Sequence, residues 1–286
     1  MFTLKVENSN GSLLVLTQNE SKYQVLSVTG LNPPPAQINT ITVAGMDGAL
    51  FNSAKLNTRN IVITLRLNGD VETNRQTLYG FFNTKELVTI FYTNTNRDVF
   101  IEGYVETVEV DLFTRSEIMQ VSILCPQPYF KSADAIVEDI SVSLAAFSFP
   151  FSINIGEPVA FSSLAIGKTV TVTNASDQSV GAVFTITFDA SVFDIRVFNV
   201  TTNEIFAIYY AFETGDIATV NTARGQKSIT LVRGGVETNL FPYLEQGSQL
   251  FSLVPGENEL SYSADNGSNN RNVSVLVMYH NEYRGV

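Results

Sequence analysis

Residues Val43–Leu67 read VAGMDGALFNSAKLNTRNIVITLRL, and this stretch decides which kind of fold the sequence can adopt. Its second half places an apolar side chain at every second position from Ile61 onward, which is the pattern of a strand with one buried face. Its first half holds two glycines, Gly45 and Gly48, on either side of Met46 and Asp47. No nucleophile, base or phosphate-binding helix follows them. We therefore interpret the glycines as residues that allow positive φ in a turn leading into the strand.

The composition of the whole chain favours a β protein made of short strands. The 286 residues include 20 Phe and 11 Tyr but no Trp, and only 16% are charged. This mixture, rich in Asn, Thr, Ser and Val, is typical of strands joined by many turns. The length suffices for one large domain or two of ordinary size, and we favour two.

The charge of the chain argues against nucleic acid as a ligand. The formal net charge is −11 and the isoelectric point is about 4.6. Phosphate binding depends on Lys and Arg to displace counterions, and this chain has few of them. We expect no sequence-specific binding of nucleic acid.

The single cysteine, Cys125, cannot form an internal disulfide, which favours folding in a cytosol. It ends an apolar run with no histidine nearby, so we interpret it as a core side chain rather than a nucleophile. No apolar run approaches the roughly 18 residues that a membrane span needs, and the first residues lack the apolar segment of a signal peptide. We expect no membrane insertion.

The first part of the chain predicts strands and an exposed connection. Two short apolar runs, Leu13–Leu16 and Tyr23–Val28, predict a hairpin that opens the fold. The segment 30–40, GLNPPPAQINT, contains three successive prolines, which cannot donate hydrogen bonds to a sheet. It is predicted to be a loop.

A helix and the end of a domain follow. Asp70 can accept hydrogen bonds from the free N–H groups of a first helical turn, and apolar residues recur at helical spacing over about residues 71–83. Strand patterns return from residue 87 and stop at Pro126 and Pro128, which would interrupt a central strand. These limits predict a first domain of residues 1–133 with one helix.

The remaining residues, 134–286, predict an antiparallel β-sandwich of Greek-key or jelly-roll type. Short alternating runs lie between turn residues; they include SFPFSINIG, TVTVTNAS, AVFTITFDA, FDIRVFNV, IFAIYYAF, SITLVRG, SQLFSL, ELSYSAD and NVSVLVMYHN. In one of them, Phe184, Ile186 and Phe188 share a side, which predicts that this side faces the core.

Residues that could support catalysis have simpler interpretations. A glycosidase needs two carboxyl groups that face each other across a cleft. The acidic side chains on one predicted strand are better explained as a solvated face that also discourages aggregation. They are Glu102, Glu106, Glu109 and Asp111.

The other sequence motifs also fail to support a reaction. Residues 265–270 offer oxygen ligands, but the segment lacks the glycine at the sixth position and the following glutamate at the twelfth position that an EF-hand loop requires. The only histidine, His280, ends a strand pattern, and VRGGVE at 232–237 has no P-loop lysine. We expect no catalytic residue, no metal and no cofactor, and hence no enzyme.

The ordered set of these signals resembles a known family, the distal tail proteins of long-tailed phages, called Dit, in the siphovirus tail component family. The resemblance rests on the glycine turn and the strand IVITLRL, the helix RQTLYGFFNTKE, and the runs RDVFIEGYVETVEVD, MQVSILCPQPYF and GSQLFSLVPGENELSYSA. The individual residues that match are Gly45, Asp47, Gly48, Arg59, Pro126, Pro128, Pro255, Gly256 and Asn258.

The resemblance implies both a fold and a role. The fold would be mainly β, with an N-terminal ring-forming domain that carries one α-helix and an extended hairpin or loop arm. The C-terminal domain would be a galectin-like antiparallel β-sandwich. Six copies would form a hub at the tip of the virion tail, after assembly in the cytoplasm of the host bacterium. That hub would join the tail tube protein to the tail-tip or tail-associated protein and let DNA pass, and receptor-binding proteins could dock on it.

The residues themselves agree with such a role. An acidic, Lys-poor chain would repel DNA phosphate if carboxylates lined the ring. Asp47 is a candidate for capping the glycine turn, and Arg59 is available for a hydrogen bond or ion pair with a neighbouring segment.

The main alternative is a carbohydrate-binding module of a tail or cell-surface adhesin, because aromatic side chains on a sandwich can stack on sugars. The aromatic residues available for stacking are Tyr209, Tyr210, Phe212 and Tyr243. We favour their interpretation as core or rim residues of the sandwich.

Overall fold

The computed structural model describes residues 2–17, 22–112, 117–141, 143–145, 162–164 and 169–286. The predicted run SFPFSINIG lies outside these residues. The chain divides into two units, of which the first comprises Met1–Ala133 together with Glu282–Val286, and the second comprises Asp134–Asn281. The final five residues were predicted in the second domain. They group with the first because Glu282 and Tyr283 pair with a strand of that unit.

Strands dominate the described residues of both units, in agreement with the predicted mainly β fold. The elements before residue 134 are β1 (Thr3–Asn8), β2 (Leu13–Leu16), β3 (Tyr23–Thr29), β4 (Ala36–Ile41), β5 (Leu50–Leu56), β6 (Arg59–Leu67), α1 (Val71–Phe81), β7 (Leu87–Thr93), β8 (Asp98–Val110), β9 (Ile118–Cys125) and β10 (Phe130–Ser132).

The later strands are β11 (Ile136–Asp139), β12 (Ser143–Ala145), β13 (Ser162–Leu164), β14 (Val170–Asn174), β15 (Val183–Phe188), β16 (Val192–Asn199), β17 (Glu204–Phe212), β18 (Ile217–Asn221), β19 (Ser228–Arg233), β20 (Val236–Asn239), β21 (Gly256–Ala264), β22 (Val273–Tyr279) and β23 (Glu282–Tyr283). Short 3₁₀ turns occupy Phe241–Tyr243, Asp265–Gly267 and Asn270–Asn272.

The first unit is built on an antiparallel sheet with the strand order β2, β1, β7, β8, β9, β6, β3, and β10 pairs with both β8 and β23. Ile61, Ile63 and Leu65 on β6 are fully buried, which confirms the alternation predicted for this strand. The predicted opening hairpin is wrong. Strand β2 pairs with β1, and β3 pairs with β6. A tight turn after Asn8 brings β2 back onto β1. The Asn8 side chain stabilises this turn because its oxygen accepts hydrogen bonds from the backbone N–H groups of Asn10 and Ser12.

Helix α1 packs on the core of this unit through Leu78 and, just beyond its last residue, Phe82. Asp70 caps it as predicted, because its carboxylate accepts hydrogen bonds from the backbone N–H of Thr73 at 3.2 Å and from the Thr73 hydroxyl at 2.8 Å. The helix ends at Phe81, two residues before the predicted end at Asn83.

The second unit contains two larger antiparallel sheets. Their strand orders are β11, β22, β15, β18, β19, β20 and β14, β21, β16, β17. One apolar core contains buried side chains from both sheets: Phe188 stacks on Phe212 at 4.1 Å between ring centroids, and Phe184 meets Phe206 edge-on at 5.2 Å. The predicted apolar side of β15 is confirmed, since its three inward residues are buried.

The run SQLFSL, predicted as a strand, is irregular. Its backbone makes separate contacts with different strands: Gln249 N–H donates to the Ile205 carbonyl at 2.7 Å, and Leu253 forms an isolated bridge with Val180. The apolar residues of this run are therefore buried, although the segment does not pair continuously with a neighbouring strand. Likeness to galectins stays a prediction for this unit.

Candidate assembly site

Residues 36–56 of the first unit form a solvent-exposed hairpin. Strands β4 and β5 pair with each other and, within the part of the chain that the structure describes, with no further strand. Residues 36–40 were predicted as loop and are strand instead. The three prolines end at Pro35, so they form the entry to the hairpin and leave the following N–H groups free to pair with β5.

The surface of this hairpin is unusually apolar. Phe51 is 68% exposed and Ile38 is 62% exposed. Further exposed apolar side chains on it are Ile41, Val43, Met46 and Leu50. Asp47 and Lys55 are its only charged residues, so the hairpin has no net formal charge. Grouped apolar side chains with few charges are typical of protein interfaces.

The tip of the hairpin contains the two glycines of the opening stretch. Gly45 has φ 79° and Gly48 has φ 85°, so both adopt the positive φ that was predicted for them. The backbone N–H of Met46 closes the turn by donating to the Val43 carbonyl at 3.2 Å. The prediction that Asp47 caps the turn is wrong. Its side chain is exposed, and among the described residues no hydrogen bond involves its carboxylate.

Arg59 lies at the base of the hairpin and is 2% exposed. Its guanidinium donates hydrogen bonds to backbone carbonyls from three separate segments. Nε donates to Pro128 at 2.8 Å, Nη1 donates to Asn32 at 2.8 Å and also to Gly30, and Nη2 donates to Arg284. The interaction predicted for Arg59 with a neighbouring segment therefore takes the form of hydrogen bonds rather than an ion pair.

These contacts hold both ends of the hairpin. The segment with Gly30 and Asn32 leads into β4, and Arg59 follows β5 after two residues. The guanidinium also lies 4.6 Å above the ring of Phe130. Burial lowers the pKa of Arg59 from its usual value, and the carbonyl oxygens compensate for part of the water that the guanidinium has lost. The buried guanidinium of Arg59 therefore holds the two ends of the exposed β4–β5 hairpin in place.

Sequence reasoning missed two close contacts of the segment that leads into the hairpin. Gly30 has φ 85°, and a Cβ atom at this position would lie 2.1 Å from the carbonyl oxygen of Asn60. At the other end of the chain, the N–H of Val286 donates to the Leu31 carbonyl at 3.2 Å. A glycine three residues before a run of three prolines is a signal that the sequence shows. A contact between residues 31 and 286 is not, because nothing local encodes it.

The acidic residues of β8 lie on its exposed side. Glu102 approaches Nζ of Lys131 at 3.9 Å, and Glu106 accepts a hydrogen bond from Ser122 Oγ at 3.1 Å. These neighbours and the exposure of Glu109 favour the predicted solvated face over a catalytic cleft.

The late part of the motif, Pro255, Gly256 and Asn258, shapes a turn in the second unit. Asn258 is fully buried, and its side chain both accepts from the N–H of Val254 at 2.9 Å and donates to the carbonyl of the same residue at 2.8 Å. Asn199 adds a hydrogen bond to the Asn258 side chain at 3.2 Å. This asparagine therefore holds the turn that starts β21.

The four aromatic residues considered for sugar stacking do not form one surface. Phe212 is 1% exposed and belongs to the core, and Tyr210 packs against that core. Tyr209 points to the opposite side of β17, where its hydroxyl contacts Arg196 at 2.6 Å and Glu245 at 3.1 Å. Because adjacent strand residues face opposite sides, Tyr209 does not share a surface with Tyr210 and Phe212. Tyr243 packs edge-on against Tyr210 at 4.8 Å between ring centroids.

Comparison with known proteins agrees with this architecture. The phage tail protein RIFT-related domain matches residues 9–125, and the C-terminal domain of the siphovirus-type tail component matches residues 175–283. No curated protein matches the sequence. The crystal structure of SPP1 Dit (gp 19.1), described as a paradigm of the hub adsorption apparatus in phages that infect Gram-positive hosts, is similar with a TM-score of 0.70 at 14% identity over 99% of both chains.

Two structures of phage p2 baseplates in the activated conformation are also similar in fold. The one with Ca gives a TM-score of 0.54 at 12% identity over the full length of both chains. The one with Sr gives 0.50 at 13% identity and covers 97% of this chain and 98% of the other. The chain belongs to the siphovirus tail component family of distal tail proteins. It is a structural component of a phage tail.

Proposed function

We propose that six copies of this chain form a closed ring at the distal end of the tail tube. The observation that carries the proposal is the apolar hairpin β4–β5, which leaves side chains such as Phe51 and Ile38 in water when the chain is alone. Burial of this surface against a neighbouring copy would favour association through the hydrophobic effect.

The geometry of the hairpin suits a repeated contact. A ring requires head-to-tail interfaces that all have the same geometry, so the projecting element must leave each copy in a fixed direction. Arg59 and Gly30 supply that fixed base. A stable interface buries about 1,600 Å² in total, and the hairpin supplies part of such an area.

The ring would act as a connector in the virion. One side would bind the tail tube protein and the other the tail-tip or tail-associated protein. The second unit, proposed to be a galectin-like sandwich, would offer its surface to receptor-binding proteins. The role is structural rather than enzymatic, and assembly would take place in the cytoplasm of the host bacterium.

The charge of the chain supports passage of DNA through the ring. The formal net charge of −11 gives phosphate few cations to bind. Exposed carboxylates on β8, including Glu102, Glu106 and Glu109, are candidates for the inner wall, where they would repel the DNA backbone. An inner wall made mainly of Lys and Arg would contradict this part of the proposal.

Electron microscopy of the purified full-length protein tests the ring directly. Negative-stain images should show rings with six-fold symmetry, and light scattering should give a mass six times that of the chain. If the protein remains monomeric at high concentration and also when mixed with tail tube and tail-tip proteins, the proposal is wrong.

A further inference from the structure

The second unit contains an open cavity of about 680 Å³ that has no part in the ring proposal. This volume lies within the range of about 300–1,000 Å³ typical of small-molecule sites. Its lining comes from Ser179, from Glu204 at the start of β17, from Lys227 just before β19, from Phe241 and Leu244 at the ends of the 3₁₀ turn region, and from most of the irregular segment 248–254.

The wall of the cavity is held in place before any ligand arrives. The segment 248–254 is fixed at several points, including the hydrogen bond from Gln249 N–H to the Ile205 carbonyl and the bridge between Leu253 and Val180. Ser248 Oγ also accepts a hydrogen bond from the N–H of Ala207 at 3.0 Å. A ligand would therefore meet a formed surface and would not have to order a loop.

The lining of this cavity combines aromatic and charged side chains. Phe241 lines it and is 41% exposed, although the unit has a core in which such a ring could be buried. Glu204 is partly buried, and its carboxylate accepts one hydrogen bond from Thr202 Oγ1 at 2.6 Å. Lys227 donates from Nζ to the Leu250 carbonyl at 3.1 Å, which leaves two of its three N–H donors for a ligand.

We propose that this cavity binds a saccharide. A sugar ring has a C–H face that packs on an aromatic ring and hydroxyl groups at its edge that both donate and accept hydrogen bonds. Phe241 would contact the C–H face, the Glu204 carboxylate would accept from hydroxyl groups, and the Lys227 ammonium would donate to them. A purely apolar ligand would leave the remaining acceptor sites of Glu204 and the remaining donors of Lys227 unused, and a phosphate group would be repelled by the Glu204 carboxylate.

The proposed site differs from the aromatic set considered from the sequence. Tyr209 already uses its hydroxyl in contacts with Arg196 and Glu245, and Tyr243 lies outside the lining of the cavity. Tyr243 is 45% exposed and follows Phe241 by two residues, so it provides a matched control aromatic.

The test uses the full-length protein on an array of bacterial cell-surface oligosaccharides, followed by calorimetric titration of the strongest ligand. We expect Phe241→Ala and Glu204→Gln each to weaken binding by about tenfold or more, which corresponds to about 1.4 kcal/mol. Tyr243→Ala should change the affinity less than about twofold. Thermal unfolding of each variant should match the wild type, which shows that the loss arises in the cavity.

Two results would overturn the saccharide site. One is no binding to any oligosaccharide on the array. The other is binding that the two cavity variants leave intact. If the cavity variants instead block association with another tail protein while no sugar binds, the cavity is a protein-docking site. Ring formation by the same variants is measured separately by electron microscopy. A negative result for sugar binding therefore does not bear on the proposal that the protein forms a ring.

Discussion

The Nε–H of Arg59 donates a 2.8 Å hydrogen bond to the carbonyl oxygen of Pro128, so a buried cation joins the start of β6 to the chain just after β9. The same guanidinium reaches the carbonyls of Asn32 and Arg284. Carbonyl dipoles rather than a carboxylate surround the charge. Because a planar guanidinium offers five N–H donors in fixed directions, an ammonium or an amide could not replace it.

Replacement of this side chain by an apolar one of similar length should destabilise the first unit. Arg59→Met would leave four hydrogen bonds to backbone carbonyls unmade, one of them buried and three partly buried, and we expect the free energy of unfolding to fall by about 3 kcal/mol or more. Urea denaturation followed by circular dichroism measures the change. Arg75→Met is the control, because Arg75 forms one ion pair, with the Glu72 carboxylate, whose side chain is 65% exposed, and ion pairs open to solvent contribute at most about 1 kcal/mol. If both variants lose the same free energy of unfolding, the hydrogen bonds of Arg59 contribute no more to stability than the ion pair of Arg75.

Gly30 gives an independent test of the hairpin base. Gly30→Ala places a Cβ 2.1 Å from the Asn60 carbonyl oxygen in addition to the strain of a positive φ. Gly69→Ala has a similar φ of 71° but no atom within 4 Å of the new Cβ, so it isolates the strain, about 1–2 kcal/mol. We expect the melting temperature of Gly30→Ala to be clearly lower than that of Gly69→Ala. If both variants have the same melting temperature, the close approach of the Gly30 and Asn60 backbones does not matter for stability.

Local patterns in the sequence predicted the elements that local physics controls. The period of two in β6 and β15 follows from burial of one strand face, and the start of α1 follows from the capping carboxylate of Asp70. The pairing partners of the strands were harder to predict, because the sequence of β2 shows the same alternation whether the strand pairs with β1 or with β3. In the structure a tight turn held by the Asn8 side chain places β2 against β1.

The candidate site was only partly visible in the sequence for a related reason. The glycines of the hairpin tip and Arg59 could be recognised from their residue types, but strand β4 could not. Its sequence AQINTI is exposed on both faces and shows no clear alternation, so it carries no burial signal. Arg59 and its acceptor Arg284 are separated by 225 residues, and no local pattern encodes such a contact.

The hairpin itself should control association without affecting the fold of one copy. The double variant Ile38→Ser and Phe51→Ser removes two large apolar side chains that are already exposed, so the melting temperature at low protein concentration should stay close to that of the wild type. Rings should be lost at concentrations where the wild type forms them. Phe193→Ser is the control, since Phe193 is 72% exposed in the second unit. If the double variant assembles as the wild type does, the hairpin is not the contact between copies.

The stability of the second unit should depend on pH through Asp216. Its carboxylate accepts two hydrogen bonds from Arg233, at 2.9 and 2.6 Å, and these bonds together with the backbone N–H of Glu213 hold the pKa of Asp216 below its usual value. A lowered folded-state pKa stabilises the fold above the unfolded value, about 3.9, and this contribution is lost as the pH falls through the folded-state pKa.

Asp216→Asn should therefore lower the free energy of unfolding at pH 7, and the gap to the wild type should narrow below about pH 4. Urea denaturation at pH 7, 5 and 3 measures this gap. Glu237→Gln is a suitable control, because Glu237 is an exposed carboxylate on β20. A gap that stays constant across this range would mean that the contacts with Arg233 do not depend on the charge of Asp216.

The lone cysteine should be chemically inert in the folded protein. Cys125 is fully buried, and burial raises the pKa of its thiol to about 12, with only partial opposition from the positive charge of Arg59. Since the thiolate is the reactive form, its population at pH 8 falls by roughly a thousandfold relative to a free cysteine with a pKa of about 8.5. Iodoacetamide at pH 8 should therefore add no label to the native protein and one label in 8 M urea, as read by mass spectrometry. Thr107→Cys, at an exposed position of β8, should accept one label in the native state. Rapid labelling of Cys125 without denaturant would show that the end of β9 next to Arg59 opens readily, and it would weaken the conclusion that this arginine fixes the hairpin.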